Sequence, residues 1–274
     1  MSSYIGCLNK MLITAGSPAQ YILPLGDFRL PLNAVIGKSI RLRHTGIIRC
    51  THCQRKTTKS FNQGYCFQCF KKLAQCDACI MSPEKCHFYQ GTCREPAWAQ
   101  SHCLTDHVVY LANSTGIKIG ITRATQMPTR WLDQGAIQAL PIARVAERYQ
   151  SGLLEVLCKN FVADKTNWRA LLRGDTASID LMRFREVLFE QAKTGIEHLQ
   201  DTFGLAAIQL LSDEMEQQFS YPVNAYPEKI STFSFDKTPL IEEQLLGIKG
   251  QYLLFAKGGL NIRKFTAYEV EVSL

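Results

Sequence analysis

Closely spaced cysteine pairs are the first feature of this 274-residue sequence that could do chemistry. Two Cys-x2-Cys pairs are separated by twelve residues, and each pair offers two thiolates to one metal ion. Together they complete a tetrahedron, which is the arrangement of a zinc ribbon, and segments of this polar composition need the ion to fold. The spacing therefore predicts a structural Zn²⁺ ion. Its ligands are Cys50, Cys53, Cys66 and Cys69.

A second group of cysteines follows directly and predicts a second Zn²⁺ ion. The favoured ligands are the thiolates of Cys76, Cys79, Cys86 and Cys93. His87 is adjacent to Cys86, and Cys103 and His107 have ligand spacing of their own, so any of these three can replace a cysteine. One or two structural zinc ions are therefore expected.

Other roles for the cysteines fit the sequence less well. The first residues lack a secretory signal, so we expect a cytoplasmic location, where disulfides between the eleven cysteines are disfavoured. A redox Cys-x2-Cys pair opens a helix after a strand, whereas these pairs lie in polar, glycine-rich sequence. Buried free thiols suit the isolated Cys7 and Cys158. Metal ligation is thus the favoured interpretation of the cysteines in 50–93.

Segment 107–161 combines a predicted hairpin with predicted helices. The apolar runs VVYLA and IKIGIT flank a turn at 113–116. Pro128 precedes a short helix, ALPIARVAERY is a strand candidate, and SGLLEVLCKNFV has apolar residues at helical spacing after a serine cap. The predicted order is strand, strand, helix, strand, helix.

This order, and several residues within it, resemble the GIY-YIG nucleases and their relatives. Residues 108–110 (VVY) are similar to the first family motif, and residues 118–120 (KIG) are similar to the second. Arg130 matches the helix arginine of the family. Glu155 stands on the following helix, where the family carries its metal-binding glutamate. Lys118 replaces the second tyrosine of the family.

The resemblance implies hydrolysis of phosphodiesters. Tyr110 would help to deprotonate the attacking water, Arg130 would hold the scissile phosphate, and Glu155 would hold one Mg²⁺ or Mn²⁺ ion. Gly120 would allow close packing beside the site, and Lys118 can itself bind phosphate. These residue types suit the reaction, because a divalent ion neutralises phosphate charge and an arginine makes bidentate phosphate contacts. The structural alternatives are a core tyrosine with a paired hydroxyl and a solvated helix glutamate.

The charge balance agrees with a polyanionic partner, DNA or RNA. Thirty-one Lys and Arg against 24 Asp and Glu give a net charge of +7. The alternative to a polyanionic partner is a basic surface without any such partner. Trp and Arg lie together in 130–135 and 164–169, where the tryptophan can stack on bases or anchor a helix against a sheet. The predicted nucleic-acid-binding residues are Lys118, Arg123, Trp131 and Arg169.

The remaining segments complete a predicted α+β fold. We predict a β-rich N-terminal segment at 1–49, an inserted zinc-ribbon region at 50–106, a small GIY-YIG-like mixed α/β core at 107–203, and a helix followed by a β-rich segment at 204–274. The last helices of this scheme cover 178–204 and 205–218. The two β-rich ends are candidates to pair with each other. No apolar run reaches the length of a bilayer-spanning helix, so no membrane partner is expected.

The chain as a whole, including PEKCHFYQGTCREPAW, also resembles a bacterial family of unknown function that joins zinc knuckles to a GIY-YIG-like module. The favoured function is that of a zinc-containing nucleic-acid-binding protein, for which the GIY-YIG resemblance implies divalent-metal-dependent endonuclease activity. The alternatives are a DNA- or RNA-binding module without activity and a zinc-dependent protein-interaction module.

Overall fold

A computed structural model describes residues 2–162 and 167–274. Residues 164–166, the first three of the Trp- and Arg-containing stretch 164–169, therefore lie outside the described residues. Helices and strands are mixed, with 30% helical and 32% strand residues, as predicted. The strands are β1 (Ser3–Cys7), β2 (Leu12–Thr14), β3 (Gln20–Leu25), β4 (Phe28–Pro31), β5 (Ser39–Arg49), β6 (Lys56–Thr57), β7 (His107–Asn113), β8 (Ile117–Arg123), β9 (Gln138–Val145), β10 (Ile208–Leu210), β11 (Gln217–Gln218), β12 (Leu240–Gln244), β13 (Gly247–Lys249), β14 (Tyr252–Phe255), β15 (Gly258–Asn261) and β16 (Tyr268–Ser273). The α-helices are α1 (Phe67–Lys72), α2 (Pro96–His102), α3 (Thr129–Asp133), α4 (Arg148–Lys159), α5 (Trp168–Arg173) and α6 (Leu181–Phe203). Short 3-10 helices cover Asn33–Val35, Ala74–Cys76, Ala78–Ile80, Pro83–Lys85, Phe88–Gln90, Ala124–Gln126 and Ile262–Phe265.

The central sheet consists of β10, β9, β7 and β8, in this order, with β11 also paired to β9. Strand β7 lies between β8 and β9 and is buried at every residue. Because side chains alternate along a strand, Val109 and Leu111 enter the core formed with α4 and α6, whereas Tyr110 packs on the opposite face with Trp131 of α3. The predicted order of elements over 107–161 is confirmed.

Helix α4 attaches the cysteine-rich segment to the central sheet. It begins with a capping box, in which the side chains of Glu147 and Gln150 each accept a hydrogen bond from the other residue's backbone N–H. Further along, Gly152 faces the 3-10 helix Pro83–Lys85. A Cβ at Gly152 would lie 2.6 Å from the backbone nitrogen of Glu84, so only glycine allows this approach.

The outer sheet brings the two ends of the chain together. Strand β1 pairs with β16, β16 pairs with β5, and β12 lies at the far edge. Ser3 stands opposite Ser273, so the expected pairing of the β-rich ends is confirmed. Leu42 from the N-terminal segment and Phe255 from the C-terminal segment belong to one cluster of buried side chains. The two β-rich segments therefore share a hydrophobic core.

The segment after α6 differs from its prediction. The helix predicted over 178–204 is confirmed as α6, and Gly204, with φ of +92°, ends it. The helix predicted over 205–218 is wrong, because Ile208 is buried opposite Val145 in β10 and β11 pairs with the same strand. The local apolar spacing suits a helix, but pairing with the open edge of β9 satisfies backbone groups and buries Ile208. Across 2–162 and 167–274, no helix has the length and apolar character needed to cross a membrane.

Candidate functional site

A cleft of about 470 Å³ opens beside β8 and is flanked by α3 and α4. In the described part of the chain its lining carries a single carboxylate, that of Glu155, among six basic side chains. The basic residues are Lys118, Arg123, Arg130, Arg148, Lys159 and Arg263. We call this feature the cationic cleft. Its charge favours an anion as the ligand, because partly enclosed walls of low dielectric strengthen the field of converging charges.

Three distant parts of the sequence build the cationic cleft. The central sheet and α3 contribute Lys118 and Arg130, α4 contributes Glu155 one turn before Lys159, and Arg263 comes from the 3-10 helix near the C-terminus. Of the charged residues in the lining, the sequence analysis identified Lys118, Arg123, Arg130 and Glu155 but missed Arg148, Lys159 and Arg263. No local motif marks Arg263, whereas the spacing of Lys159 four residues after Glu155 on a predicted helix was a usable signal.

Tyr110 lies directly beneath the floor of the cationic cleft. A Cβ at Gly120 would stand 2.7 Å from the Tyr110 hydroxyl oxygen, so the absence of a side chain there admits the phenol. Gln134 Nε2 donates a hydrogen bond to that oxygen at 3.0 Å. Burial raises the pKa of Tyr110 and outweighs the opposing effects of Arg130 and Gln134. The hydroxyl therefore keeps its proton at neutral pH and is available as a donor.

Glu155 is positioned by its own helix. Its carboxylate forms an i,i+4 ion pair with Lys159 Nζ at 3.6 Å, and only 13% of its side chain is exposed. The predicted set of Tyr110, Gly120, Arg130 and Glu155 thus converges, with three members lining the cationic cleft and Tyr110 beneath it.

Two of the four predicted nucleic-acid-binding residues line the cationic cleft, and the other two do not. Lys118 and Arg123 line the cationic cleft. Trp131 is 1% exposed and packs edge-on against Tyr110, so it offers no face to a base; its position fits the alternative of a tryptophan that anchors a helix against the sheet. Arg169 lies outside the cleft with its guanidinium 4.6 Å from the ring centroid of Trp168.

The first two cysteine pairs form a compact cluster. The Sγ atoms of Cys50, Cys53, Cys66 and Cys69 all lie within 4.8 Å of one another. The Sγ atoms of Cys53 and Cys66 are 3.8 Å apart, which agrees with the roughly 3.8 Å edge of a tetrahedron whose zinc–sulfur bonds are about 2.3 Å long. These four cysteines can hold a zinc ion.

Backbone geometry supports a thiolate in this cluster. Burial raises the pKa of Cys50, but the backbone N–H groups of Cys53, Cys66 and His52 outweigh that effect and lower the pKa to about 6. Such N–H donors stabilise the deprotonated form that metal binding requires.

The loop between the two pairs reaches the cationic cleft. Ser60 Oγ donates to the Thr266 carbonyl at 3.3 Å, and Arg263 Nε donates to Gln63 Oε1 at 2.6 Å. Because Arg263 lines the cleft, the loop between the two cysteine pairs helps to position one of its cations.

The later cysteines are arranged differently. Ligand atoms of Asp77, Cys79 and His87 lie within 4.8 Å of one another. Within residues 2–162 and 167–274, neither close group of ligand atoms includes Cys76, Cys86 or Cys93.

Comparison with known proteins places these features in one family. A family model described as a protein of unknown function (DUF2797) matches residues 37–270, a span that includes the cysteine pairs and the whole lining of the cationic cleft. No curated protein and no solved structure matches the chain.

Proposed function

The chain belongs to the DUF2797 family, whose function is unknown, and from the cationic cleft we propose that it binds the phosphodiester backbone of DNA or RNA. The observation that carries this proposal is the convergence of six basic side chains around one carboxylate in a cleft of about 470 Å³. A polyanion suits this arrangement because each phosphate carries a charge that Lys and Arg neutralise with release of counterions.

The sources of the basic side chains strengthen the proposal. Lys118 and Arg123 lie on one strand, Arg130 on α3, and Arg263 on a separate segment, so their charges meet only in the folded chain. Repulsion between such groups costs stability, and a phosphate ligand offsets it. Arginines add bidentate contacts to phosphate oxygens.

Binding is tested with labelled single-stranded DNA, double-stranded DNA and RNA by fluorescence anisotropy at several salt concentrations. We expect affinity for at least one of them to fall steeply with salt. Arg130→Gln should weaken binding about 10- to 100-fold, since losing a charge-assisted hydrogen bond costs about 1.5–3 kcal/mol. Arg183→Gln is the matched control, because Arg183 is 72% exposed on α6 and does not line the cleft. Equal losses in both variants, or no binding, would contradict the proposal.

A second candidate is hydrolysis of the bound phosphodiester. It is supported by the positions of three residues: Arg130 and Glu155 line the cationic cleft, and Tyr110 lies directly beneath it. Arg130 would hold the scissile phosphate, and the protonated Tyr110 would donate a hydrogen bond to a bound oxygen rather than remove a proton from water.

Glu155 is the residue that would hold a Mg²⁺ or Mn²⁺ ion. Magnesium is commonly bound by one or two carboxylates together with substrate phosphates, so a single carboxylate in a basic cleft fits the ion when phosphate is present. When bound, the divalent ion would neutralise charge that develops on the phosphate oxygens.

Cleavage is tested with the same nucleic acids in the presence and absence of Mg²⁺ or Mn²⁺. Glu155→Gln should abolish cleavage while keeping or increasing affinity in metal-free buffer, because it removes the negative charge from the cleft. Cleavage by Glu155→Gln at the wild-type rate would exclude this mechanism. Tight, salt-dependent binding without cleavage in either protein would support the binding function and exclude hydrolysis.

A further inference from the structure

A second cavity, of about 330 Å³, borders the cationic cleft. Lys118, Gln134 and Arg263 line both, so the two cavities share a boundary. The rest of the second lining differs in kind: it carries the aromatic rings of Trp168 and Tyr252 and, among the described residues, no further cation. We call this feature the aromatic cavity. A ligand that crosses the boundary would place a charged part among the cations and an uncharged part against the rings.

Helix α5 positions Trp168, its first residue, at the aromatic cavity. Asn167 caps the helix, because its Oδ1 accepts from the backbone N–H groups of the second and third helical residues at 3.0 and 3.3 Å. Leu172 packs with Leu254 of β14 in a buried cluster against which the partly buried Trp168 lies. The guanidinium of Arg169 is 4.6 Å from the centroid of the tryptophan ring. A capped and anchored helix therefore presents this ring to the cavity.

Two further lining residues, Gln251 and Asp133, are fixed by hydrogen bonds. Gln251 is 3% exposed, and its Oε1 accepts from the backbone N–H of Met11 at 2.8 Å. Its Nε2 donates to the Met11 carbonyl and to Asp133 Oδ1, each at 2.9 Å. The other oxygen of Asp133 pairs with Lys10 Nζ at 2.8 Å. This part of the lining is therefore rigid, and the only carboxylate in the described lining already has a cation beside it.

Three amides in the lining have unused hydrogen-bonding groups. Arg263 uses the Oε1 atom of Gln63, and a backbone N–H uses the Oδ1 atom of Asn261. Within residues 2–162 and 167–274, no hydrogen bond reaches the amide nitrogen of either residue. Gln134 is the reverse case: its Nε2 donates a hydrogen bond, while its Oε1 is buried without a partner in the same ranges. The lining thus offers both donors and an acceptor, which the edges of nucleobases require.

From the shared boundary of the two cavities we propose that the chain binds an unpaired nucleotide of single-stranded DNA or RNA, with its phosphate in the cationic cleft and its base stacked on Trp168 in the aromatic cavity. This inference rests on the proposed phosphodiester-binding function and names the form of nucleic acid that the site takes. Aromatic rings accept any base, because every base has a π face, and the amides of Gln63, Gln134 and Asn261 contact the base edge.

The size and lining of the aromatic cavity favour a base that is free of its complement. A volume of about 330 Å³ lies near the lower end of the about 300–1,000 Å³ usual for small-ligand sites, which suits one base with its sugar. In a duplex the faces of a base are stacked and its pairing edge is occupied, so the base would first have to leave the helix. A single strand offers the same phosphates without that cost.

The first test uses the wild-type protein and three labelled ligands of equal length, prepared as DNA and as RNA. They are a single strand with bases, the same strand with abasic sugars throughout, and a duplex. Anisotropy at fixed salt should show at least fivefold tighter binding of the single strand with bases than of either other ligand, the effect of about one base–aromatic stack.

A site that binds phosphates alone would give a different order. It would bind the abasic strand as tightly as the strand with bases, and the duplex more tightly than both, because a duplex has the higher charge density. That order would overturn the base site and leave the phosphodiester-binding function standing. No binding of any of the ligands would overturn both.

The second test locates the base at Trp168. Trp168→Ala should bind the strand with bases and the abasic strand equally, with the affinity of the wild type for the abasic strand. Trp98→Ala is the matched control and should keep the wild-type preference, because Trp98 stacks on His102 at 4.2 Å and lines neither cavity. An unchanged preference in Trp168→Ala would overturn the proposal.

Trp168→Phe keeps the proposal testable if Trp168→Ala fails to fold. Phenylalanine retains a ring for stacking, so this variant should keep most of the preference for bases. Quenching of the intrinsic tryptophan fluorescence by the strand with bases should be present in the wild type and absent in Trp168→Phe. Quenching that persists in Trp168→Phe would place the bases beside another tryptophan and would overturn the proposal.

Discussion

Arg263 Nε donates a hydrogen bond to Gln63 Oε1 at 2.6 Å, and this contact joins the loop between the two cysteine pairs to the wall of the cationic cleft. The two residues are 200 positions apart in the chain. Through this contact the loop between the two cysteine pairs can fix the orientation of Arg263 in the cleft wall. Burial lowers the pKa of Arg263, and it remains a cation at neutral pH because the ordinary value is far higher.

We expect Gln63→Ala to weaken nucleic-acid binding about threefold, because Arg263 loses its orienting partner and a partly exposed hydrogen bond contributes about 0.5–1.5 kcal/mol. The measurement is anisotropy at fixed salt, with zinc content determined on the same sample. Gln68→Ala is the matched control: Gln68 accepts a hydrogen bond from Arg55 at 2.8 Å within the cysteine-rich segment and does not line the cleft. Equal affinities for Gln63→Ala and wild type would show that the contact plays no part in binding.

Gly120→Ala should destabilise the protein by about 1–3 kcal/mol, the usual cost of overpacking a filled site. The new Cβ would meet Tyr110 Cζ and Oη at 2.7 Å. Urea denaturation measures the change. Adding Tyr110→Phe should recover part of the loss by removing one of the two clashing atoms, so a double variant no more stable than Gly120→Ala would contradict this account.

The candidate site was predictable from sequence only where its residues follow local patterns. Tyr110 and Glu155 lie on elements whose apolar spacing and order could be recognised in advance. Arg263 could not be found in this way, since only the pairing of the two chain ends and the contact with Gln63 bring it to the cleft. The strand at Ile208 was missed for a similar reason: its conformation depends on the edge of β9.

The stability of the protein should fall in mild acid because of His107. Its Nδ1 lies 2.7 Å from the Thr105 carbonyl, its Nε2 is buried without a partner among the described residues, and burial lowers its pKa to about 4. A histidine with a depressed pKa disfavours protonation of the folded state, so its contribution is present above the unfolded pKa of about 6.5 and is lost as pH falls toward 4. Between pH 7.5 and 5.5 the loss from this residue should be about 1.3 kcal/mol.

The check is the free energy of urea unfolding at both pH values for wild type and His107→Gln. The variant should show a pH-dependent loss smaller by about 1 kcal/mol, since it lacks the group that takes up a proton on unfolding. Comparing differences within each protein cancels contributions from the cysteines that both share. Identical losses in the two proteins would exclude His107 as the source.

Lys249→Met should stabilise the protein by about 1 kcal/mol. Lys249 is 1% exposed, burial lowers its pKa, and in the described chain no carboxylate forms an ion pair with it. Its ammonium faces the rings of Tyr221 and Tyr226 at 5.8 and 5.9 Å from their centroids, and such contacts offset only part of the cost of removing a charge from water. Methionine keeps a similar volume without the charge.

The measurement is urea denaturation of Lys249→Met, with Lys257→Met as the control. Lys257 is 73% exposed and paired with Glu243, so its replacement should change the free energy of unfolding by no more than about 0.5 kcal/mol. A Lys249→Met protein less stable than wild type would show that the buried cation stabilises the fold through its aromatic contacts.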